Sequence, residues 1–280
     1  MGRREVARVV AGAGAWVVAG ALAVTLAAPG AAPAAPAAAA AEPSVARVSG
    51  ADRYATAIEI SRAAYPDGGE VAYGGPGESA PDALSAGPAA AVADGPLLLT
   101  RSGSRPAEVA DELNRLDVQR VVVVGGPASV SDEVLGSLRD IAGEVTRVDG
   151  HDRYATSRAV ATSPVFAGGS TVAYLATGRD FPDALSAGAA AGSRGAPVVL
   201  LDGLAPSVDA ATRDVLTGLG AERLLVAGGP ASVSPAVEEA LGALAPVTRL
   251  GGADRYEASS AINAEAFDSS ESAFLVTGAG

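Results

Sequence analysis

The stretch Arg47-Val-Ser-Gly-Ala-Asp-Arg-Tyr54 opens a unit that the chain repeats. It returns as Arg147-Val-Asp-Gly-His-Asp-Arg-Tyr154 and again as Arg249-Leu-Gly-Gly-Ala-Asp-Arg-Tyr256. Two later segments recur in the same order: Pro81-Asp-Ala-Leu-Ser-Ala-Gly87 returns at 182–188, and Gly125-Gly-Pro-Ala-Ser-Val-Ser131 returns at 228–234. The offsets of 100, 101 and 103 residues exceed the about 20–50 residues of a solenoid repeat, so each unit is predicted to be a small domain.

Within each unit, short apolar runs alternate with segments that carry helix start signals. Strands are predicted at 70–73, 96–100 and 120–124 in the first unit, and at 171–176, 197–201 and 223–227 in the second. Helices are predicted at 54–64, 81–93, 105–116, 131–141, 182–193, 207–219 and 234–244. Fully apolar strands alternating with helices indicate an α/β fold: tandem small three-layer domains, each a mostly parallel sheet with helices on both faces.

The amino-terminal segment, residues 1–41, is typical of a secretory signal. Arg3 and Arg4 precede an apolar run over 9–28, and small residues end the segment at Ala39-Ala-Ala41. An uncleaved membrane anchor is the alternative, since the run is long enough to span a bilayer. The sequence favours cleavage and export.

The rest of the chain divides at the repeated motifs. Residues 42–146 form the first repeat and residues 147–248 the second, with almost no linker between them. Residues 249–280 begin a third repeat, which is expected to be truncated because the sequence given stops before a third Pro-Asp-Ala-Leu helix. Those residues are expected either to dock on their neighbours or to be partly disordered.

Composition excludes several classes of function. The chain has a net charge of −12, no cysteine, one histidine, and arginine as its only basic residue besides that histidine. Removing residues 1–41 removes three Arg and one Glu and leaves −14. Such an acidic chain is a poor candidate for nucleic acid or, once the signal is cleaved, for a membrane surface. No cofactor is expected, and the single His151 is predicted to be an exposed loop residue without a metal or catalytic role.

The Asp-Arg-Tyr triplets are the main candidate binding residues. An arginine can hold a phosphate or carboxylate through two hydrogen bonds, and a tyrosine can stack on a sugar. The alternative is structural, with aspartate capping a helix while arginine and tyrosine join the units. Both interpretations stay open for Arg53, Tyr54, Arg153, Tyr154, Arg255 and Tyr256.

Three further features are weaker candidates. The Gly-Gly-Pro-Ala-Ser-Val-Ser turns offer either an anion site at a helix start or a tight turn with a serine cap. Asp82 and Asp183 are expected in the first turn of their helices, where carboxylates are stabilised. In the second unit, Arg179, Asp180 and Phe181 follow a strand, at the end where open α/β sheets bind their ligands. The first unit lacks this aromatic residue and this Arg-Asp pair.

Together the three motifs, repeated in fixed order, resemble the type-2 cell-wall-binding repeat of gram-positive surface proteins. The resemblance covers nearly all of residues 45–280. It implies a secreted protein at the cell wall or cell surface, in which three modules pack in a pseudo-threefold assembly. It also implies non-covalent binding to an anionic wall polysaccharide or a teichoic-acid-type polymer.

The resemblance predicts a binding module without catalytic residues. The alternative is the targeting part of a wall hydrolase, an amidase or protease whose catalytic domain lies outside this sequence. A structural component of the surface layer is a third possibility.

Overall fold

The computed structural model describes residues 44–78 and 80–277. The predicted signal over 1–41 lies outside these residues. Ser44 and Val45 are exposed and precede a compact unit that starts at Ala46. This compact unit contains both repeats and the start of the third.

The first repeat alternates helices and strands along the chain. Its helices are α1 (Arg53–Ala64), α2 (Ala80–Val92), α3 (Ala107–Leu116) and α4 (Asp132–Arg139). Its strands are β1 (Val71–Pro76), β2 (Leu97–Thr100), β3 (Arg120–Val124) and β4 (Glu144–Val148).

The second repeat has the same order of elements. Its helices are α5 (Arg153–Ala161), α6 (Pro182–Ser193), α7 (Ala210–Gly218) and α8 (Pro235–Gly242), with an added 3-10 turn at Pro164–Phe166. Its strands are β5 (Val172–Thr177), β6 (Val198–Leu201), β7 (Arg223–Ala227) and β8 (Val247–Leu250). The third motif continues into α9 (Arg255–Ala266).

Each repeat contains one four-stranded sheet, and all of its strand pairs are parallel. The strand orders are β2-β1-β3-β4 and β6-β5-β7-β8. β2 therefore lies on one side of β1, and β3 followed by β4 lies on the other side. This confirms the predicted α/β class with parallel sheets.

Helix caps explain where the helices begin. The Oδ1 atom of Asp52 accepts hydrogen bonds from the backbone amides of Tyr54 and Ala55, and that of Asp152 caps α5 by accepting from the Ala155 amide. Ser234 caps α8 through the Val237 amide, directly before a proline at the first helical position. Each cap satisfies an amide that has no partner inside its helix.

The fourth strand of each sheet is absent from the sequence-based prediction. In β4, Arg147 pairs with Val123 and Val148 with Val124, so the opening of the second motif completes the first sheet. The predicted division between residues 146 and 147 thus falls inside a strand. The pattern Glu-Val-Thr-Arg-Val hides it because charged or polar residues alternate with valine along this half-exposed strand, whereas β2 and β3 carry continuous apolar runs.

The two faces of the first sheet belong to different hydrophobic cores. In the first repeat, α3 and α4 pack on one face through Val109, Leu113 and Val134, and Ile58 of α1 joins the same core. On the other face, Tyr73 belongs to a core that continues through α2 into Val160 of α5 and on into the second repeat. Because α5 is common to this core and to its own sheet, the two repeats form one packed body.

Helix α9 docks on the second repeat as α5 docks on the first. Ile262 is fully buried in a core with Ala184, Tyr174 and Leu250. The residues after it, 268–277, contain no helix or strand, and Phe274, Leu275 and Val276 are 76%, 93% and 74% exposed. This segment corresponds to β5, but neither of the strands that flank β5 has a counterpart beside it among the described residues.

Small residues let α2 and α6 approach closely. A Cβ atom placed on Gly192 would lie 2.8 Å from the Cβ of Ala91, a distance that real contacts do not reach. A Cβ atom on Gly188, also in α6, would lie 3.8 Å from the Cδ of Pro88 in α2. By contrast, a Cβ on Gly87 in α2 would meet no atom within 4 Å.

These contacts give two opposite expectations for one substitution. Gly192→Ala should lower the free energy of unfolding by about 1–3 kcal/mol, because the new methyl group overpacks the α2–α6 contact. Gly87→Ala should be neutral or stabilising by up to about 1 kcal/mol, since alanine favours a helix and the space is open. Urea denaturation of the two variants tests this, and equal effects would contradict the close approach.

A buried carboxylate joins α1 and α3 in the first repeat only. The side chain of Glu112 is 0% exposed and accepts hydrogen bonds from Ser61 Oγ (2.6 Å), Arg62 Nε (3.2 Å) and Arg115 (2.8 and 2.9 Å). Burial opposes ionisation, but these donors outweigh it and hold the pKa of Glu112 below its usual value. At the corresponding positions the second repeat has Ala161, Thr162, Val215 and Gly218.

Glu112→Ala should therefore destabilise the protein by about 2–4 kcal/mol, because it leaves Ser61 and two arginines without their acceptor. The triple variant Ser61→Ala, Glu112→Val, Arg115→Gly copies the second repeat at three of these four positions and should lose much less stability. Because the folded pKa is lowered, the stabilisation is present above the carboxyl's unfolded pKa and is lost as pH falls through the folded one. In urea denaturation, the difference in the free energy of unfolding between wild type and Glu112→Ala should therefore become smaller below about pH 4.

Candidate functional site

The candidate binding residues gather at the carboxyl ends of the strands, where the loops after β1, β2, β3 and β4 meet. We call this the carboxyl edge of the first sheet and use the same term for the second. The edge is built from the strand–helix turns, and the caps of α1 and α5 lie beside it. The equivalent loops of the second repeat follow β5, β6, β7 and β8.

The Asp-Arg-Tyr triplets are part of this edge. Arg53 Nη1 donates to the carbonyl of Gly77 just after β1, and Arg153 Nη1 donates to that of Gly178 at 2.6 Å. Both arginines are exposed at the surface. The arginine therefore joins the start of a helix to the end of the first strand, and the two repeats do this alike.

The tyrosines differ between the three copies. Tyr54 is 6% exposed and packs on Gly77, with the guanidinium carbon of Arg101 4.6 Å from its ring centre. Tyr154 is half-buried against Gly178, and burial with the nearby Asp202 raises its pKa. Tyr256 is 61% exposed. The aromatic surface available to a ligand thus increases along the chain.

A salt bridge ties two loops of the second edge together. Arg179 Nε donates to Asp202 Oδ1 at 2.6 Å and Arg179 Nη2 to Oδ2 at 3.0 Å, linking the loops after β5 and β6. The hydrogen bonds and the charge of Arg179 lower the pKa of Asp202. Asp180 next to it is exposed, and its carboxylate accepts from the Phe181 amide. Phe181 is half-buried and packs against the α6–α9 core.

The first repeat has the opposite charges at these two loops. Glu78 stands where Arg179 stands, and Arg101 where Asp202 stands. Glu78 accepts from the Ser102 amide at 2.9 Å, and the hydrogen bonding of Ser102 together with Arg101 and Arg53 lowers the pKa of Glu78. In both repeats, therefore, an acidic side chain on one loop is hydrogen-bonded by a residue of the other loop. These contacts link the loops that follow the first and second strands.

The crevice between β1 and β3 is where the chain reverses its direction of growth, the usual ligand position in open α/β sheets. Here protein atoms fill it. Asp82 accepts from Ser129 Oγ at 2.7 Å, and it lies against Gly125, whose φ of +120° requires glycine. Asp183 lies in the same way against Gly228, with φ of +103°.

An arginine of the next motif donates hydrogen bonds to backbone carbonyls of each Gly-Gly-Pro-Ala-Ser-Val-Ser turn. Arg147 Nη1 donates to the carbonyls of Gly125 (2.6 Å) and Val130 (2.8 Å). The following helix, α4, begins with the carboxylates of Asp132 and Glu133. Two negative charges at the helix start disfavour an anion there. Ser131 caps this helix through the Val134 amide, the serine cap of the simpler interpretation.

Arg249 repeats this arrangement in the second sheet. Its Nη1 and Nη2 atoms donate to the carbonyls of Gly228 (2.8 Å) and Val233 (2.9 Å), and Glu238 pairs with Nη2 at 2.6 Å. The sequence analysis did not assign a role to Arg147 or Arg249. Their recurrence at the first position of every motif is the signal that could have identified them.

Other parts of the described chain offer less. His151 is 81% exposed, 3.4 Å from Asp152, as predicted for a loop residue. Among residues 44–78 and 80–277, no three His, Cys, Asp or Glu side chains are grouped to hold a metal, and no helix has the length and apolarity needed to cross a membrane. An open cleft of about 500 Å³ lies at the opposite, amino end of the second sheet, lined by glycines and Arg194.

Comparison with known proteins identifies the family. The model of the family described as cell wall binding domain 2 (CWB2) matches residues 47–135 and 147–238, which together make up more than half of the chain. The chain belongs to this family. Its two CWB2 repeats begin at the Arg-Val openings of the first and second motifs, and the recognition made from the sequence is confirmed.

Two solved structures share the CWB2 fold of this chain. Cwp6 from Clostridium difficile superposes with a TM-score of 0.73 at 30% identity, covering 78% of this chain and 35% of that one. Cwp8 from the same organism gives a TM-score of 0.70 at 30% identity, covering 77% and 36%.

Two curated relatives come from Bacillus subtilis (strain 168). N-acetylmuramoyl-L-alanine amidase LytC is 31% identical over 214 residues, 76% of this chain and 41% of that protein. Amidase enhancer is 27% identical over 212 residues, 75% of this chain and 28% of that protein. The chain therefore spans less than half the length of these relatives.

The reversed loop charges of the two CWB2 repeats lead to a test. Arg179→Glu or Asp202→Arg alone should destabilise the second repeat, because each places like charges face to face. The double variant carries the same two charges as the first repeat and should recover most of the loss. Since the side chains are 54% and 37% exposed, the coupling energy should be about 0.2–1 kcal/mol at low salt. A double-mutant cycle in urea measures this coupling energy. Additive losses of stability in the two single variants and the double variant would contradict an interaction between Arg179 and Asp202.

Proposed function

We propose that this chain attaches an exported protein non-covalently to the bacterial cell wall by binding anionic wall polymers at the carboxyl edges of its CWB2 repeats. Membership in a family of cell-wall-binding domains supports attachment to the wall. The observation that carries the finer proposal is the recurrence of an exposed arginine, Arg53 and Arg153, in one geometry at two successive edges.

The charge of the chain favours this local mode of binding. With a net charge of −12, the whole protein repels a polyanion, so attraction has to come from short-range contacts. Each of the two arginines is fixed through Nη1 to a backbone carbonyl, which orients the planar guanidinium before any ligand arrives. An oriented guanidinium loses less side-chain freedom on binding a phosphate or carboxylate.

Neighbouring groups suit a sugar polymer. Tyr154 is half-buried and Tyr256 is largely exposed, so both present ring surface for stacking on a sugar. Arg179 carries charge at the second edge, with Asp180 exposed and Phe181 half-buried next to it. Arg255 starts α9 at the third motif, in the position of Arg53. We assign these residues to polymer contact together with Arg53, Tyr54 and Arg153.

In this proposal, tight binding of the polymer comes from repetition of the sites. Contacts between α2 and α5 recur between α6 and α9, so each motif is placed on its predecessor by the same packing. One further repeat placed by the same rule is consistent with a pseudo-threefold assembly of modules. A polymer that engages several edges at once would bind far more tightly than a single site allows.

The chain itself is proposed to be non-catalytic. A second candidate function is the targeting part of a cell-wall hydrolase, which the similarity to LytC and to Amidase enhancer supports. Both candidates assign the same task to the residues described here. They differ in what is attached to the wall.

Co-sedimentation with isolated gram-positive walls tests the proposal. Residues 42–280 should be retained by native walls and released when acid treatment has stripped the anionic polymers. Retention should also fall as salt rises, because charge contacts on the surface are screened. Equal retention by stripped walls would refute polymer binding while leaving wall attachment intact.

Two matched variants locate the contact. Arg53→Lys with Arg153→Lys keeps both charges and one donor for each carbonyl but removes the planar guanidinium, so the fold should persist. The control, Arg139→Lys with Arg213→Lys, changes two exposed arginines outside the carboxyl edges. We expect about a tenfold loss of affinity or more for the first pair, which corresponds to about 1.4 kcal/mol, and none for the control. Equal binding by both pairs would assign Arg53 and Arg153 to the fold alone.

A further inference from the structure

The two carboxyl edges differ in how their loop arginines are neutralised. At the second edge, Asp202 accepts from both Nε and Nη2 of Arg179, at 2.6 and 3.0 Å, so this guanidinium has a counter-ion within the protein. At the first edge, Arg101 stands where Asp202 stands, and Glu78 where Arg179 stands. Glu78 accepts from the Ser102 amide and not from an arginine. The reversed charges therefore leave the two loop arginines in different states.

The Tyr54 ring holds Arg101 at the surface of the first edge. The guanidinium carbon lies 4.6 Å from the ring centre, a cation–π contact, and the arginine side chain is 49% exposed. Within the described residues its one ion pair is with Asp52, at 4.0 Å from Nη2, and its guanidinium donates no hydrogen bond. The planar donor groups of Arg101 are therefore accessible to a ligand.

Arg53 brings a second guanidinium to the same edge. It donates through Nη1 to the Gly77 carbonyl just after β1, and Arg101 follows directly on β2, the neighbouring strand. Hydrogen bonding by Ser102, followed by the charges of Arg101 and Arg53, lowers the pKa of Glu78. Both guanidinium groups therefore lie close enough to this exposed carboxylate to act on it, and an anionic ligand at the same place would experience the same attraction.

The second edge is less suited to an anion. Arg153 has the place of Arg53, but a carboxylate has the place of Arg101. Asp180 adds a further exposed carboxylate, and the first repeat has no acidic residue at the corresponding position. Carboxylates at short range repel a phosphate or another carboxylate. The arginines of the two repeats therefore differ in their capacity to bind an anion, although the motif around them recurs.

We propose that the anionic groups of the wall polymer bind at the first edge, to Arg53 and Arg101, and that the second edge excludes them. This deepens the proposed function and rests on it. The bound group is a phosphate or a carboxylate, because a planar guanidinium holds either through two hydrogen bonds. Tyr54, which is 6% exposed, acts as a positioning residue for Arg101. At the second edge, half-buried Tyr154 and Phe181 leave ring surface for uncharged sugars.

Titration with three small probes locates the anion. α-D-Glucose 1-phosphate carries a phosphate, D-glucuronate a carboxylate, and D-glucose neither. In amide NMR spectra of the protein, one or both anions should shift Gly77 and Ser102 at the first edge, and D-glucose should not. Binding of the same anions at Gly178 and Gly203, the corresponding positions of the second edge, should be at least about tenfold weaker. The anion that binds identifies the charged group of the polymer.

Exchanging the loop charges should move the site. Glu78→Arg with Arg101→Asp copies the second edge into the first and should weaken anion binding there about tenfold or more. Arg179→Glu with Asp202→Arg does the reverse and should create anion binding at the second edge. Neither exchange alters the net charge, so a change in affinity reports the local arrangement.

The control exchanges two charges away from both edges. Arg213→Asp with Asp214→Arg swaps two exposed neighbours within α7 and should leave anion binding unchanged. Amide signals outside the exchanged loops show whether each variant is folded. Arg101→Gln is a milder alternative that removes the charge alone. It should also weaken anion binding at the first edge, so the proposal can be tested even if the double exchange disturbs the fold.

Three results would overturn the proposal: equal affinity for anions at the two edges, anion binding at the second edge alone, and no anion-induced shift at the first edge. Retention by native walls is measured separately. Retention together with any of these results would leave the proposed function standing and refute the division between the edges. Loss of retention while the anions still shift Gly77 and Ser102 would refute wall attachment and leave the anion site in place.

Discussion

Two arginines hold the architecture together at the places where one repeat passes into the next. Arg147 and Arg249 each bind carbonyls of the turn behind them while their own backbone completes that repeat's sheet. A hydrogen bond from a charged donor contributes about 1.5–3 kcal/mol to stability, and each arginine makes several. The turn, the fourth strand and the start of the next helix are thereby fixed relative to one another by a single residue.

Packing follows from this arrangement. Since the strand that ends one sheet leads within a few residues into the capped helix of the next repeat, that helix has little freedom in where it lies. In the described chain it packs on the second helix of the preceding repeat, α5 on α2 and α9 on α6. The hydrophobic core therefore runs across the repeat boundary, and glycine and alanine at the α2–α6 contact allow the helices to come close.

Most of the fold was predictable from local pattern. Inner strands such as 120–124 and helices with a serine or aspartate cap carry strong signals, and the structure has them within a few residues. The fourth strands were missed because a half-exposed edge strand with alternating polar residues looks like a loop. The arrangement of helices over the two faces also depends on contacts between residues about 100 positions apart, which no local pattern contains.

The candidate binding residues were easier to predict from the sequence than the contacts that they make. Recurrence picked out Arg53 and Arg153, but their hydrogen bonds to Gly77 and Gly178 follow from the sheet, which brings the strand end to the helix start. The pairing of Arg179 with Asp202 joins residues on separate loops. Only comparison of the two repeats, in which both charges reverse, would have revealed it from the sequence.

The duplicated segment of sequence and the folded domain have different boundaries in this protein. The copied segment begins with the last two residues of one sheet, so every inserted copy finishes the domain before it and leaves the end of its own last strand to its successor. Gain or loss of a whole copy during evolution would therefore rejoin intact sheets on both sides of the cut. An array built in this way can change its number of domains without redesigning a junction.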